Sequence, residues 1–224
     1  MAPVYAQLTV VTYPAYRGWA GFLSMALFRL PLWLHKPFSF TKLMGCGKNG
    51  TFDITPDWHK WAIMVAVKSL PNTSPQLAPY PAFLTAWWKF FGAQQSHFLL
   101  EPIEGHGTWD GKEVFGSLPK KTDYEGRIAI LTRATIRLNR LKNFWKHVPA
   151  VANVMAGSEG FEQSVGIGEV PWIKQATFSI WRSKADMKNF AYKMAEHAEV
   201  VRKTKQENWY SEEMFVRFKI LQQS

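Results

Sequence analysis

The hydrophobic pattern along this chain runs through one order of elements and then repeats it, and this repeat limits the folds open to the sequence. Over residues 6–103, apolar side chains alternate between a two-residue spacing and a three- to four-residue spacing, in the order β-α-β-β-α-β. From residue 127 onward the same order returns. The sequence therefore predicts an α+β protein of two ferredoxin-like halves. Two such halves can pack with their helices outside and form an α+β barrel within one chain.

The organisation of the repeat predicts where the two halves begin and end. We predict an N-terminal half over residues 1–106, a linker over residues 107–126 and a C-terminal half over residues 127–224. The halves share a G-x-G landmark, in "MGCG" and in "VGIG", near the end of the third element. No helix follows these glycines, as a phosphate-binding loop requires, so they indicate a tight bend or a β-bulge.

The charge of the chain is strongly positive and points to anionic partners. There are 27 Lys and Arg against 17 Asp and Glu, for a net charge of +10. Nucleic acid, acidic lipid and an anionic cofactor are the candidates. The basic residues are dispersed, and no RNP, zinc-finger or helix-turn-helix spacing occurs, so we predict no nucleic-acid partner.

The most hydrophobic run is "WAGFLSMALFRLPLWL", residues 19–34. It is short for a bilayer span and is interrupted by Arg29 and Pro31. We predict a packed helix, with contact at a membrane surface as the alternative.

Cellular location and assembly are weakly constrained. Cys46 is the single cysteine, which excludes an internal disulfide, and "MAPVYAQLTVVTYP" lacks the features of a secretory signal. We expect a cytoplasmic protein, with peripheral membrane association as the alternative. Exposed sheet edges are usually covered, so we also expect pairing into a homodimer.

A histidine lies on the apolar side of a predicted helix in the second half. In "DMKNFAYKMAEHAEVV", Met187, Phe190, Met194 and Val201 recur at helical spacing, and His197 falls on the same stripe. It is either a hydrogen-bonded core histidine or an axial heme ligand, for which an imidazole on an apolar wall is a common geometry. Met194 and Val201 would then contact the cofactor from one turn to either side.

Two strands of the second half carry the other site candidates. In "LTRATIR", Arg133 and Arg137 share one strand face, where they either clamp carboxylates such as heme propionates or face solvent. In "QATFSIW", Gln175, Thr177 and Ser179 form a small polar face that ends in Trp181, which suits a ligand cavity or a solvated sheet. Arg133 and Trp181 are the catalytic candidates.

Other polar residues have weaker support. Glu212 and Glu213 are adjacent on a predicted strand, point to opposite faces and are expected at the surface. His106 and Asp110, in a glycine-rich loop, are candidates to cap a cavity. No H-x-x-x-H or C-x-x-C spacing for a metal appears.

A family resemblance covers nearly the whole chain and is densest over residues 127–218. It is carried by the combination of "KLMGCG", "RIAILTRATIR", "GIGEVP", "QATFSIW" and "FAYKMAEHAEVVRKTKQENWYSEEMFVRF". Together these runs resemble the spheroidene monooxygenase family of carotenoid-ketolating enzymes. The resemblance implies a heme-dependent oxygenase of the dimeric α+β barrel type, in which a histidine of the C-terminal half ligates iron. His197 is the candidate by this analogy.

The resemblance also implies the partners. The substrate would be hydrophobic and carotenoid-like, as in carotenoid biosynthesis, and the oxygen would come from dioxygen or peroxide. No flavin or nicotinamide motif is present, so electrons would come from an external ferredoxin or reductase. A non-catalytic heme-binding protein and a cofactorless ferredoxin-like oxygenase remain the alternatives.

Overall fold

The structure, a computed structural model, describes residues 4–48, 54–68, 75–196 and 208–224. Within these ranges there are eight strands and five α-helices, and they follow the predicted order except that two helices separate the first two strands. The strands are β1 (Val4–Thr12), β2 (Phe38–Gly47), β3 (Pro56–Lys68), β4 (Gln94–Gly107), β5 (Ile128–Ile136), β6 (Phe161–Val170), β7 (Lys174–Trp181) and β8 (Tyr210–Gln223). The helices are α1 (Gly18–Leu27), α2 (Arg29–Leu34), α3 (Ala82–Phe91), α4 (Leu141–Ala156) and α5 (Lys184–Glu196).

The eight strands close into one antiparallel barrel in the order β1-β3-β2-β6-β7-β5-β8-β4. Each half contributes four neighbouring strands, β4-β1-β3-β2 and β8-β5-β7-β6. Both sets follow the same order of fourth, first, third and second strand, which is the ferredoxin-like arrangement. The predicted fold, two ferredoxin-like halves in an α+β barrel, is confirmed.

The two halves meet at one long and one short junction. β4 and β8 pair from Phe98↔Gln223 to Gly107↔Met214, whereas β2 and β6 pair only at Gly45↔Gly168 and Cys46↔Ile167. The short junction is therefore made by the two G-x-G segments. Register shifts follow Gly45 and Gly168, so the predicted bulges are present.

The closed barrel removes the argument for the expected homodimer. In the described part of the chain, every strand has two neighbours, so the sheet has no open edge of the kind on which the homodimer expectation rested. The homodimer stays a prediction, but open sheet edges no longer support it.

Alternation along each strand divides the core into an inner and an outer layer. On β5, Ala129 and Leu131 point into the barrel, while Ile128 and Ile130 pack outward with α4 and α5. The barrel interior is filled by side chains. Cavities of about 420 and 440 Å³ lie on the outer face, between sheet and helices.

The segment predicted as a linker packs into the barrel. β4 extends to Gly107, and beyond it Trp109 and Phe115 are 0% and 4% exposed among the inner-layer residues. The Trp109 ring lies 5.2 Å from that of Phe40, and the Phe115 ring lies 5.3 Å from that of Phe218. The segment therefore contributes to the core, and the boundaries of the halves stay a prediction.

The apolar run of residues 19–34 forms two helices instead of one packed helix. The break falls at the buried Phe28, between α1 and α2. Most large apolar side chains of the two helices are exposed, so the packing expectation is wrong for them. Among the described helices, none is long and apolar enough to cross a membrane.

Candidate functional site

A cavity of about 420 Å³ lies on the outer face of the C-terminal half, between α4 and the strands β5 and β8. Its size is in the range of small-molecule and cofactor sites, which is roughly 300–1,000 Å³. Apolar and aromatic side chains form most of its wall. They are Ala134, Phe144, Val148, Val151, Trp209, Tyr210, Met214 and Phe215.

His147 of α4 is an imidazole in this mostly apolar wall. Its Nδ1 lies 2.7 Å from the carbonyl oxygen of Asn143, and its ring centroid lies 5.7 Å from that of Trp209. A carbonyl oxygen only accepts, so Nδ1 carries the proton of the neutral ring. The lone pair is then on Nε2, which is the nitrogen available to a metal or a substrate proton.

The sequence places His147 in the cavity through the apolar stripe of α4. Phe144, Val148 and Ala152 follow one another at four-residue spacing and are all buried. His147 is three residues after Phe144, so it lies beside that stripe. Sequence reasoning missed His147, although the argument used for His197 applies to it equally.

Polar groups also line the cavity, and Arg137 lies next to its wall in the chain's hydrogen bonding. The His106 ring stacks on Phe215 at 5.8 Å and lines the cavity, as was proposed for a capping residue. Burial, followed by the negative charge of Glu213, raises the pKa of Tyr210 to about 12, so this hydroxyl stays protonated. Arg137 is exposed, and its backbone N–H donates to the carbonyl oxygen of Trp209 at 2.9 Å. Arg137 is therefore anchored next to a residue of the cavity wall.

Arg133 also lines the cavity, but its guanidinium is engaged by carboxylates on the other side of the strand. It is 1% exposed, and as the next inward position after Leu131 it points into the barrel. Its Nη1 donates to Glu212, its Nη2 lies 3.5 Å from Glu169, and its guanidinium lies 5.5 Å from the centre of the Trp109 ring. The two arginines thus do not share a face, because Arg137 follows the end of β5.

Arg133 belongs to a charge cluster that closes one end of the barrel. The cluster contains three cations and three carboxylates: Lys42, Arg133, Lys174, Asp110, Glu169 and Glu212. Lys174 lies 2.7 Å from Asp110, and Lys42 lies 2.6 Å from Glu169. The pairing compensates the buried guanidinium of Arg133, whereas the side chains of Asp110 and Lys174 are 37% and 30% exposed.

Glu212 ties the segment after β4 to the barrel. It accepts hydrogen bonds from the Thr108 hydroxyl at 2.8 Å and from the Gly111 backbone N–H at 2.7 Å. The expectation that Glu212 lies free at the surface is therefore wrong. A strand alternation could not show that a distant segment folds back onto this carboxylate.

Electrostatics keep the cluster ionised. Desolvation opposes ionisation of Asp110, but hydrogen bonds from Lys174 and Lys42 outweigh it and lower its pKa to about 2. Desolvation is outweighed in the same way at Glu212, where the Gly111 N–H, Arg133 and Thr108 lower the pKa. Both groups remain carboxylates at neutral pH.

Trp181 lies in a buried aromatic cluster under the helices. It is 1% exposed, and its ring lies 5.1 Å from Phe190 and 5.4 Å from Phe161. Its Nε1 donates to the Ser179 hydroxyl at 3.0 Å. The polar face of β7 is thus covered by helices instead of solvent, and the catalytic role of Trp181 stays a prediction.

A groove of about 290 Å³ adjoins the cavity at the short junction between the halves. Its wall contains Phe22, Trp58, Trp61, Trp145 and Trp172, and its floor contains Gly45, Gly47, Gly166 and Gly168 of the two G-x-G segments. Gln175 lines both the groove and the cavity. The glycines leave the floor without side chains, so a flat apolar molecule can lie against the backbone there.

The N-terminal half has a more polar cleft of about 440 Å³ under α3. Tyr80 donates to the Thr9 hydroxyl at 2.8 Å, and Thr9 Oγ1 lies 2.9 Å from His97 Nδ1. Burial lowers the pKa of His97, which favours the neutral ring that accepts from Thr9. Sequence reasoning missed this chain of hydrogen bonds because its members come from three separate elements.

Three predicted cofactor residues cannot be placed in a site. The backbone of Met194 belongs to α5, and His197 and Val201 lie outside the described residues, so their roles stay predictions. Burial raises the pKa of the Cys46 thiol, which argues against a thiolate there. Within the described ranges, no group of three His, Cys, Asp or Glu side chains could hold a metal ion.

The fold is shared with a solved structure. An aldoxime dehydratase in complex with butyraldoxime aligns over 97% of this chain and 79% of its own, with a TM-score of 0.61 and 10% sequence identity. At that identity the likeness shows the fold alone. No protein-family model matches the sequence.

Curated relatives match most of this chain, which spans between 56% and 81% of their own lengths. A spheroidene monooxygenase of Rhodobacter capsulatus is 32% identical over 200 residues, which cover 88% of this chain and 81% of the relative. That of Cereibacter sphaeroides is 34% identical over 184 residues, and this chain spans only 56% of its length. That of Rubrivivax gelatinosus is 28% identical over 179 residues. The chain belongs to the spheroidene monooxygenase family.

Proposed function

We propose that this protein is a heme-dependent monooxygenase that inserts oxygen from dioxygen or peroxide into a hydrophobic, carotenoid-like substrate. Its three curated relatives are named for the oxygenation of spheroidene. The observation that carries the heme assignment is the His147 imidazole, which has its lone pair on Nε2 and lines an apolar cavity.

The residues of the C-terminal cavity fit a heme. Heme iron needs only one axial ligand from the protein, so a lone imidazole suffices where a metal held by side chains alone needs several. The Asn143 carbonyl orients the His147 ring, as the second partner of a metal-bound histidine commonly does. We propose that His147 would hold the heme iron, beside the sequence-based candidate His197.

Arg137 is the better candidate for the heme propionates. It is exposed and anchored to Trp209, whereas the guanidinium of Arg133 is engaged by carboxylates inside the barrel. We assign Arg133 to the positioning of Glu212 and the segment after Gly107. The propionates would then lie at the rim, where solvent lowers the cost of their charge.

The groove would hold the substrate. A conjugated polyene is long, flat and apolar, which matches an aromatic wall and a glycine floor. Gln175 marks the place where the groove meets the cavity, so a chain lying in the groove would present one part to the cofactor. The tryptophans would exclude water from that part and fix its orientation.

Bound heme would supply redox-active iron for the activation of dioxygen or peroxide. Inserting one oxygen atom of dioxygen into a C–H bond and reducing the other to water takes two electrons and two protons. We propose an external donor, a ferredoxin or a reductase, as the source of these electrons. With peroxide no external electrons are needed.

A heme titration followed by visible absorption tests the proposal. Wild type should bind one heme per chain, and His147→Ala should bind it roughly 100-fold more weakly or lose the band. His106→Ala is the matched control, because it removes another imidazole of the same cavity and should keep the band. If His197→Ala lost the heme band and His147→Ala kept it, the ligand would be His197 instead.

The remaining outcomes separate the alternatives. A folded wild type that stays colourless yet oxygenates a carotenoid would indicate a cofactorless oxygenase. A coloured protein that turns over with neither peroxide nor a reductant would indicate a heme-binding protein without catalysis.

A further inference from the structure

Helix α1 has an inverted distribution of side chains. Its small residues Gly18, Ala20, Gly21 and Ser24 are buried against the sheet, and its large apolar residues point outward. Trp19, for example, is 57% exposed. A water-facing helix normally shows the opposite pattern.

Close packing fixes this orientation. A Cβ atom at Gly21 would lie 2.1 Å from Nε1 of Trp61, and one at Gly18 would lie 2.7 Å from Nδ1 of His59. Only glycine fits such close approaches. The helix therefore cannot rotate to bury Trp19 without losing these contacts.

Helices α2 and α3 extend the exposed apolar area. Phe28 is buried between them and contacts the Phe83 ring at 6.1 Å, and Trp19 contacts Phe91 of α3 at 5.3 Å. We define the α1–α3 apolar surface by its exposed members: Trp19 (57%), Phe22 (58%), Leu23 (43%), Leu27 (45%), Leu30 (61%), Trp33 (80%), Leu34 (61%), Phe83 (45%) and Phe90 (77%). Contiguous exposure of this kind marks an interaction site.

The N-terminal half, which carries this surface, has a clear excess of positive charge. The first 100 residues hold eight Lys and Arg and two Asp, with no Glu, so they carry +6 of the net +10. Arg17, Arg29, Lys36 and Lys89 lie in or beside the three helices. Arg17 also donates to the Phe90 carbonyl oxygen at 3.2 Å, which holds a cation at the edge of the surface.

This charge decides between two kinds of partner. In a two-fold dimer the same surface faces itself, so these cations would face one another and repel. An anionic lipid surface attracts them, and its interfacial region accepts Trp, Phe and Leu side chains. We propose that the α1–α3 apolar surface docks this protein onto anionic phospholipid bilayers, with Trp33 and Leu30 inserted at the level of the headgroups.

Docking goes beyond the proposed oxygenation and does not depend on heme. It also has a consequence for the groove, because Phe22, Met25 and Arg29 of α1 and α2 line that groove. The groove therefore opens at the edge of the docked surface. A polyene dissolved in the bilayer could enter it without crossing water.

Sedimentation of the full chain with lipid vesicles tests the proposal. Wild type is mixed with vesicles of phosphatidylcholine, with and without phosphatidylglycerol, at low and high salt. We expect binding that requires phosphatidylglycerol and weakens with salt. The double variant Leu30→Glu, Trp33→Glu should bind at least roughly tenfold more weakly.

Leu138→Glu is the matched control, because Leu138 is 71% exposed in the C-terminal half. It should bind vesicles like wild type, and circular dichroism should show all variants folded. Wild type that fails to bind vesicles, or a double variant that binds equally well, would overturn the proposal. So would a wild-type dimer that the double variant converts to a monomer while vesicle binding is absent. Heme absorption in the same samples reports separately on the proposed function.

Discussion

The Nδ1 atom of His147 lies 2.7 Å from the carbonyl oxygen of Asn143, one turn earlier in the same helix. The contact fixes the tautomer, since the carbonyl can only accept, and it leaves the Nε2 lone pair for a ligand in the cavity. A backbone acceptor cannot be lost by mutation of its side chain. Asn143→Ala should therefore leave the orientation of His147, and the heme spectrum, unchanged.

Arg137 and Arg133 should differ in their effect on heme. Arg137→Ala should weaken heme binding several-fold, because a rim cation that meets propionates is removed. Arg133→Met should leave the heme affinity of the folded protein unchanged. Titration of heme into both variants checks this, and equal losses for the two would return Arg133 to the cofactor site.

The buried ion pair between Arg133 and Glu212 should instead control the stability of the fold. Removing one partner of a buried ion pair leaves charges uncompensated and costs about 3–5 kcal/mol. We expect Glu212→Gln to lower the free energy of unfolding toward that range, as measured in urea. Glu213→Gln is the matched control. The Glu213 carboxylate is exposed, so this substitution should change the free energy of unfolding by less than about 0.5 kcal/mol.

Acid stability should depend on Asp110. A carboxyl group with a lower pKa in the folded than in the unfolded chain stabilises the fold above its unfolded pKa. That contribution is lost as the pH falls through the folded value. For Asp110 the window runs from about 3.8 down to about 2. Thermal unfolding across this window should show a steep loss of stability in wild type.

Asp110→Asn should flatten this acid loss and lower stability at neutral pH. Asp110 has a φ of 52°, and asparagine adopts this left-handed conformation readily, so the substitution mainly removes the charge. An unchanged acid profile would mean that the cluster contributes little to the pH dependence.

The glycine floor of the groove should set which substrates enter. A Cβ at Gly45 would lie 3.7 Å from the Trp61 ring, an ordinary contact, so Gly45→Ala should be tolerated. Gly45→Leu should fill the groove and raise the KM for a long polyene by roughly tenfold, with an unchanged heme spectrum. If Gly45→Leu turned over a long polyene with the wild-type KM, the substrate would bind outside the groove.

The order of elements and the duplicated fold were predictable from periodicity alone. Two-residue and helical spacing separate strands from helices, and the repeated order identifies the two ferredoxin-like halves. Even the bulges at the G-x-G segments follow from the lack of a helix after the glycines.

The assignment of faces was not predictable. Alternation separates Arg133 from Thr132, but it does not say which set points into the barrel, because both layers of this sheet are buried. The surface prediction for Glu212 failed for a related reason, since its partners come from the segment after Gly107. The exposed residues of α1 look like a core stripe in sequence, and only the contacts of Gly18 and Gly21 show that they face outward.

The most direct test of the account is chemical rescue of His147→Ala. The variant is loaded with heme in the presence and absence of imidazole, and the absorption spectrum is recorded. We predict that the heme band is lost or shifted without imidazole and returns to the wild-type position with it, because free imidazole replaces the missing ligand in the cavity. A His147→Ala protein with the wild-type spectrum in the absence of imidazole would contradict His147 as the residue that holds the heme.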